Sequence, residues 1–393
     1  MLQKKIFSYI LVYILRTINT LIPKNRKLVL FSSNDGYSGN AKAMYVYMLK
    51  NCPEYKLIWV LHSREEIQRL EADGIRCYYS CSLPGIIAVT RARYLLGTHL
   101  EFSRYKAFFG QTYINLWHGM LIKNLGFMDP GEKQLWNYKF TWQNNDIVSV
   151  PSGFYGAILS AQTGIDHRKC KITGFPKNDL LFSSDGKKNL ETLFEDIFDF
   201  EKVILYCPTY RSVLKRTIKR TDSSYDSMYF IDKYFGKDME SLFREHKICS
   251  LVKLHPFEEG LLAGKKFSKN IKIVTNEILK KKGLSVEEIL SGTDLLITDY
   301  SSIYMDYLLL GSPIMFIADD IEEYKKRRGI IFNNYDFVIC GPKIFTETMF
   351  KKEMLRLLSD PGYFKKEREE KTKIFHEAKS NFCQSLLNEI RKD

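Results

Sequence analysis

Polar side chains suited to phosphate chemistry follow short apolar segments at several places in this chain. An imidazole titrates near neutrality and can accept the proton of an attacking hydroxyl group. Guanidinium and hydroxyl groups can hold charged oxygen atoms. Together these residue types indicate transfer to or from a phosphate-containing group. The residues are His118, Thr209, Arg211, His255, Asp299, Ser301 and Ser302.

The segment from Leu295 to Ile317 is the most informative of these places. Its pattern predicts a strand at 295–297, a polar corner at 299–302, a helix at 304–310 that Gly311 ends, and a strand from Pro313. The first amide groups of a helix lack intrahelical partners, and the helix dipole is positive there. Such a corner can hold a phosphate. The alternative is that Asp299 or Ser301 is an ordinary helix cap.

Strands and helices alternate along the rest of the chain, which predicts an α/β fold with two parallel sheets covered by helices. Ligands of such sheets bind beyond the carboxyl ends of the strands. A charged helical segment at 178–200 marks the junction between two domains. We expect a helix at 1–24, a Rossmann-like acceptor-side domain at 25–180, and a Rossmann-like nucleotide-binding domain at 181–393 that includes a helical tail.

Composition is consistent with two such domains and with a polyanionic partner. The 393 residues are 45% hydrophobic, and 59 basic against 46 acidic side chains give a formal net charge of +13. That charge suits nucleic acid, an anionic membrane surface or a phosphate-rich substrate. The basic residues are dispersed and no nucleic-acid-binding motif occurs, so we do not expect a nucleic-acid partner.

The sequence contains no motif for a metal ion or a bound cofactor. No GxxxxGK[ST] loop occurs, and no tight carboxylate cluster demands magnesium, although a divalent metal requirement stays open. The eight cysteines are scattered, and the closest two, Cys77 and Cys81, lack zinc-ligand companions. We expect reduced thiols in a cytosolic protein.

The N-terminal segment is basic and apolar. The run from Ile6 to Leu15 is too short to span a bilayer, which requires about 20 apolar residues. Six basic residues precede the first acidic one, Asp35, and this pattern predicts peripheral association with the inner face of an anionic membrane. The alternative is a helix docked on the protein core. The six are Lys4, Lys5, Arg16, Lys24, Arg26 and Lys27.

Six segments resemble the CDP-glycerol glycerophosphotransferase family of teichoic acid synthesis, and they occur in that family's order. They are NLWHGMLIKNLGF (115–127), GFPKND (174–179), CPTYR (207–211), KLHP (253–256), TDYSSIYMDY (298–307) and YKKRRG (324–329). The loop SSNDGYSGNAKAMY (32–45) is also similar to the family's opening loop. The resemblance implies a glycosyltransferase-B arrangement, in which the two domains face each other across a cleft, and a peripheral enzyme on the cytoplasmic face of the membrane.

The resemblance also implies roles for individual residues. His118 matches the family's candidate general base, and His255 is the second catalytic candidate. Asn40 and Lys123 are expected on the acceptor side, although Lys123 is equally consistent with a solvated loop lysine. We expect Asp299 to orient its corner, because a carboxylate beside a diphosphate would repel it. The residues expected to form the donor diphosphate and nucleotide site are Thr209, Arg211, Asp299, Ser301, Ser302 and Arg328.

The expected reaction is transfer of glycerol 3-phosphate from CDP-glycerol to a hydroxyl group of a lipid-linked or polymer acceptor, with release of CMP, in teichoic acid or capsule synthesis. The chain has Cys340-Gly341-Pro342 where members of the family usually carry Pro-Gly-Pro, which leaves the donor polyol open. CDP-ribitol is therefore an alternative donor. A nucleotide-sugar glycosyltransferase or epimerase of the same fold is a second alternative, and a basic nucleic-acid-binding protein is a third.

Overall fold

Two compact units make up the chain. A computed structural model describes residues 2–120, 122–129, 131–211, 227–327, 329–332 and 334–392, with side chains from residue 9 onward. The first unit comprises 1–118, 125–179 and 377–393, and the second comprises 119–124 and 180–376.

The first unit is built on a parallel sheet with strand order β3-β2-β1-β4-β5-β6-β7. Its elements are α1 (Leu2–Leu21), β1 (Asn25–Ser32), α2 (Gly39–Asn51), β2 (Lys56–Leu61), α3 (Arg64–Ala72), β3 (Cys77–Tyr79), α4 (Leu83–Arg91), β4 (Ala92–Gly97), β5 (Thr112–Asn115), α5 (Leu135–Gln143), β6 (Ile147–Val150), α6 (Gly153–Thr163) and β7 (Cys170–Ile172). The chain reverses its direction of progress through the sheet between β1 and β4. Ligands of open parallel sheets bind at such a point, beside the carboxyl ends of the strands.

The second unit repeats this architecture with strand order β10-β9-β8-β11-β12-β13, again parallel at each pair. Its switch point lies between β8 and β11. Its elements are α7 (Leu180–Ser183), α8 (Gly186–Leu193), β8 (Lys202–Tyr206), α9 (Ser227–Phe235), α10 (Lys237–Glu245), β9 (Ile248–Val252), β10 (Ile271–Ile273), α11 (Asn276–Lys281), α12 (Glu287–Leu290), β11 (Leu295–Thr298), α13 (Ile303–Tyr307), β12 (Ile314–Ile317), α14 (Ile321–Arg327), β13 (Lys343–Ile344), α15 (Glu347–Ser359) and α16 (Lys365–Phe375).

The central strands are mostly apolar and buried because helices cover both faces of each sheet. All five residues of β9 are buried, as are all four of β11 and of β12. The α/β class and the two parallel sheets predicted from the sequence are confirmed. The apolar pattern did not reveal β13, which has only two residues.

The last helix, α17 (Phe382–Arg391), belongs to the first unit, whereas the sequence placed the whole tail in the range 181–393. Its apolar face, with Leu386 and Ile390, lies in the core formed around β1 and β2. The carboxylate of Asp179 accepts hydrogen bonds from the amides of Phe382 and Cys383, both at 2.9 Å. A carboxylate is well suited to these first amides, which have no partner within the helix.

The helix α1 docks through polar groups and turns apolar groups outward. Arg16 is 5% exposed and donates to the Lys106 carbonyl at 3.0 Å and to Asn144 Oδ1 at 2.8 Å. Lys24 Nζ donates to the Thr90 carbonyl at 2.7 Å, and burial lowers the pKa of Lys24 to about 8. These two basic residues are thus engaged by the protein, and the peripheral membrane association predicted for this segment stays a prediction.

The outward face of α1 is apolar. Ile10, Ile14 and Ile18 are 52%, 50% and 53% exposed, and their spacing of four residues places them on one side of the helix. In the described part of the chain, no helix is both long enough and apolar enough to cross a bilayer.

Candidate active site

The loop that carries His118 leaves β5 in an unusual backbone conformation. Trp117 has φ +54°, a left-handed conformation that side chains larger than glycine rarely adopt. Its amide donates to Asn115 Oδ1 at 2.9 Å, and its Nε1 donates to the Tyr155 hydroxyl at 3.1 Å. Strain of this kind costs of order 1–3 kcal/mol and persists only where neighbouring groups enforce it. The strand ends at Asn115, and this turn fixes the position of the His118 side chain that follows it.

Asn40 secures the same loop from α2. Its Nδ2 donates to the carbonyl groups of Leu116 at 3.1 Å and Trp117 at 2.8 Å. Its Oδ1 accepts from the Lys177 amide at 3.1 Å. Asn40 is buried and hydrogen-bonded at both ends of its amide. Asn40 therefore supports the loop that carries His118. Its predicted role on the acceptor side stays a prediction.

The His118 imidazole lies between two aromatic neighbours and keeps one nitrogen unpaired. Its ring centroid is 4.0 Å from that of Trp117 and 4.7 Å from that of His99. Among the described residues, Nδ1 has no hydrogen-bond partner. Burial and the charge of neighbouring His99 lower the pKa of His118 to about 3. A neutral imidazole with a free nitrogen can accept a proton.

His99 and Glu101 belong to this cluster, and the sequence analysis did not select them. They follow β4, the strand beside β5 in the sheet. A signal was present, because Thr98 and His99 come directly after a strand, just as the selected residues do. Glu101 is buried, and its Oε1 lies 3.7 Å from His99 Nδ1. Its Oε2 accepts from the His99 amide at 2.9 Å.

The second unit places another cluster at its own switch point, between β8 and β11. The Asp299 carboxylate accepts from the Thr209 amide at 2.7 Å and forms an ion pair with Arg211. Arg211 is 1% exposed, and its guanidinium also donates to Asp320, at 3.1 and 3.3 Å. Burial opposes the charge of Arg211, but the two carboxylates outweigh it and raise its pKa.

This ion pair shows which partners Arg211 and Asp299, two of the predicted donor-site residues, have within the second unit. The Arg211 guanidinium is 4.2 Å from the centroid of the Phe230 ring and points toward carboxylates of its own unit. Asp299 holds the turn after β8 against the turn after β11, and its orienting role at a donor site stays a prediction. Asp320 was not selected because it follows β12 in a segment without other distinctive polar residues. A direct diphosphate contact by Arg211 stays a prediction.

Ser301 and Ser302 lie at the partly exposed corner before α13. Ser302 is the residue that precedes the helix, and its side chain makes no capping hydrogen bond. Gly119, with φ +150°, approaches this corner closely, because a Cβ added to it would lie 3.7 Å from Ser302 Oγ. A hydroxyl that does not cap its helix is available as a donor to a ligand.

Thr209 and His255, two further candidates of the second unit, follow strands β8 and β9 of the same sheet. Thr209 Oγ1 is buried and has no hydrogen-bond partner among the described residues. His255 follows β9 and is exposed, with its ring centroid 5.1 Å from that of Tyr210 and 5.0 Å from that of Phe257. β9 neighbours β8, so the sheet gathers these residues at one edge.

Lys123 forms an antiparallel bridge with Ile330, and Ile331 donates to the Ile122 carbonyl at 2.9 Å. The segment that follows the Trp-His-Gly turn is therefore held by the backbone near position 330. Arg328, another predicted donor-site residue, lies outside the described residues. Within the described ranges, no group of three His, Cys, Asp or Glu side chains is placed to hold a metal ion.

Comparison with known proteins assigns the chain to a family. The model of the family described as CDP-Glycerol:Poly(glycerophosphate) glycerophosphotransferase matches residues 14–385. The chain belongs to this family. The resemblance found in the six sequence segments is thereby confirmed.

Individual relatives agree with this assignment. The teichoic acid poly(glycerol phosphate) polymerase of Bacillus subtilis (strain 168) is 29% identical over 361 residues, covering 87% of this chain and 45% of the relative. The teichoic acid ribitol-phosphate polymerase TarK of Staphylococcus aureus (strain NCTC 8325 / PS 47) is 26% identical over 322 residues, covering 77% and 56%. The chain thus spans about half the length of these relatives.

The fold matches that of a solved structure. The wall teichoic acid polymerase TagF superposes with a TM-score of 0.75 at 23% identity, over 99% of this chain and 97% of that one. This likeness establishes the fold.

Proposed function

We propose that the chain transfers a polyol phosphate, in the first place glycerol 3-phosphate, from its CDP carrier to a hydroxyl group of a teichoic acid acceptor. Membership of the glycerophosphotransferase family supports this reaction class. The observation that carries it at the level of residues is the His118 imidazole, whose Nδ1 is buried without a partner among the described residues. A group of this kind calls for a hydroxyl hydrogen that a substrate can provide.

In the proposed reaction the acceptor hydroxyl oxygen attacks the β-phosphorus of the CDP-polyol. A bond forms between that oxygen and phosphorus, the bond from phosphorus to the CMP oxygen breaks, and CMP leaves with the bonding electron pair. His118 takes the hydroxyl proton at Nδ1. Such general-base assistance contributes about 10²–10⁴-fold to the rate.

We assign the donor phosphates to the corner of the second unit. Ser301 and Ser302 supply hydroxyl donors, with Thr209 and His255 beside them, and Arg328 is retained from the sequence resemblance. Arg211 and Asp299 hold the two turns in place. Preorganised donors of this kind stabilise the charge that develops on the transferred group.

The donor polyol is the finer part of the proposal. CDP-glycerol is the first candidate, and CDP-ribitol is the second because the matched relatives include a ribitol-phosphate polymerase. The test is to incubate the purified chain with a lipid-linked saccharide acceptor and CDP-glycerol, CDP-ribitol, UDP-glucose or UDP-N-acetylglucosamine. Mass spectrometry of the acceptor should show the added mass of glycerol phosphate, accompanied by CMP. Product formed only from CDP-ribitol would identify CDP-ribitol, not CDP-glycerol, as the donor. Release of UDP would favour a glycosyltransferase or epimerase instead.

We further propose that the protein acts as a peripheral protein at the cytoplasmic face of the membrane, where a lipid-linked acceptor is available. The outward isoleucines of α1 and the exposed Arg26 and Lys27 support this location. An apolar helix face flanked by cations is typical of helices that lie in an anionic membrane interface.

A further inference from the structure

The ring of His99 stacks on the ring of His118. Their centroids are 4.7 Å apart, and their planes differ by only 11°. Trp117 contacts the same imidazole with a ring-plane angle of 46°. The two aromatic contacts, together with the hydrogen bond to the Thr98 backbone, restrict the plane in which the His118 ring can lie.

His99 is itself held by a buried carboxylate. Glu101 accepts from the His99 amide at 2.9 Å and lies 3.7 Å from its ring nitrogen Nδ1. The hydroxyl group of Tyr113 donates to the His99 carbonyl at 3.1 Å. Burial opposes ionisation of Glu101, but its interactions with His99 and with backbone amides outweigh burial and lower its pKa. The Glu101 carboxylate next to His99 is therefore ionised.

Thr98 joins this pair to the loop after β1. Its hydroxyl lies 3.0 Å from Ser33 Oγ, 3.0 Å from His99 Nδ1 and 3.3 Å from Glu101 Oε1. The carboxyl ends of β1, β4 and β5 are neighbours in the sheet. One hydrogen-bonded network at these strand ends therefore supports the His99 ring.

We propose that His99, held by Glu101, is a positioning residue for His118: the stacked ring fixes the orientation of the imidazole. This inference rests on the proposed function, in which neutral His118 accepts the hydroxyl proton. A base must lie within hydrogen-bond reach of its proton, and a misplaced ring loses much of its effect. The titratable groups that act on His118 are His99 and, from the segment after β7, Lys177.

The test distinguishes the effect of the His99 ring from the effect of its charge. His99→Phe keeps a stacking ring without a charge, whereas His99→Ala removes both. Full-length protein with ¹³C-labelled histidine reports the titration midpoint of His118 by NMR, assigned with His118→Gln. In His99→Phe we expect this midpoint to move to higher pH by about one pH unit, because the electrostatic interaction with His99 that lowers the pKa of His118 is lost. His62→Phe, a substitution of an exposed histidine that also follows a strand, should leave it unchanged.

Kinetics with CDP-glycerol and acceptor supply the second measurement. We expect His99→Ala to lower kcat by roughly 10–100-fold with KM for the donor within about threefold of wild type, while His99→Phe retains most of kcat. Glu101→Gln, which keeps the acceptor for the His99 amide, should fall between them. A purely structural role would lower the yield and Tm of both His99 variants without separating them in kcat.

The two proposals fail in different ways. An unchanged His118 midpoint in His99→Phe together with wild-type kcat in His99→Ala would overturn the positioning role and leave the transferase proposal intact. If the wild-type chain turns over no CDP-polyol, the proposed function fails, and the NMR midpoint in His99→Phe still decides whether His99 controls His118.

Discussion

Arg211 and Asp299 form an ion pair that is closed to solvent and joins the strand ends on the two sides of the second unit's switch point. The guanidinium is 1% exposed, and Asp320 completes its surroundings with contacts at 3.1 and 3.3 Å. The Asp299 carboxylate also accepts from the Thr209 amide at 2.7 Å. The arrangement of the turns after β8 and β11 therefore depends on a buried charge pair.

Removing Arg211 should destabilise the second unit rather than merely weaken donor binding. Arg211→Ala leaves the carboxylates of Asp299 and Asp320 buried without their partner, and loss of one member of a buried pair costs about 3–5 kcal/mol. Chemical denaturation should show this loss. Arg244→Ala, at an exposed arginine of α10, is the control and should change stability little. Wild-type stability with weakened CDP-glycerol binding would contradict the positioning role and favour a direct phosphate contact.

Removing the imidazole of His118 should abolish most turnover. We expect His118→Ala to reduce kcat in a CMP-release assay by about 10²–10⁴-fold, because the hydroxyl proton loses its acceptor. Circular dichroism checks that the fold is retained, and His62→Ala serves as the matched histidine control. Turnover near the wild-type level would remove His118 from the catalytic role.

A single amide-to-carboxylate change tests the support of the His118 loop. In Asn40→Asp the two hydrogen bonds to the carbonyl groups of Leu116 and Trp117 cannot form, and a carboxylate faces carbonyl oxygens in a buried place. We expect a loss of about 2–4 kcal/mol in stability and a lower kcat. Asn25→Asp is the control, since its side chain only accepts a hydrogen bond, from the Lys27 amide. Equal behaviour of the two variants would show that the Asn40 bonds contribute little.

Stability should depend on pH through His118. The pKa of this ring is lowered from 6.5 to about 3 in the folded protein, so between these values the unfolded chain binds a proton that the folded chain does not. Stability is therefore greatest above pH 6.5 and falls as the pH falls toward 3, by up to about 1.4 kcal/mol per pH unit. Urea denaturation of His118→Gln should show a shallower decline over the same range. Burial also lowers the pKa of His376, so a decline in the same direction should remain in that variant. Parallel curves for the two proteins would contradict the lowered pKa.

Binding of the protein to membranes should depend on the outward apolar face of α1. The triple substitution Ile10→Ser, Ile14→Ser and Ile18→Ser removes apolar area that would enter the interface, and we expect roughly tenfold or greater loss of co-sedimentation with anionic vesicles.

A second triple variant controls for a general change in surface polarity. Val46→Ser, Leu49→Ser and Ile172→Ser replace apolar residues of comparable exposure elsewhere in the first unit and should leave recovery unchanged. Equal loss in both variants, or in neither, would argue against α1 as the membrane contact.

The sequence by itself determined the architecture and the identity of most candidate residues. Fully buried strands such as β9 and β11 require mostly apolar residues, and the turns that follow them tend to be polar because they lie at the surface. These are local requirements, so they can be read from the order of the residues. The same requirement places His118 and Ser302 in polar turns that follow apolar strands, a pattern visible in the sequence.

Tertiary structure decided what each polar side chain contacts. Arg211 meets Asp320 across 109 positions of sequence, and Asp179 caps a helix that begins 203 positions later. His99 follows a strand as His118 does, but only the adjacency of β4 and β5 stacks their rings. A charged side chain can bind a ligand, pair with another residue or lie in solvent. Its partner is set by the distances and burial that folding creates, not by its neighbours in the chain.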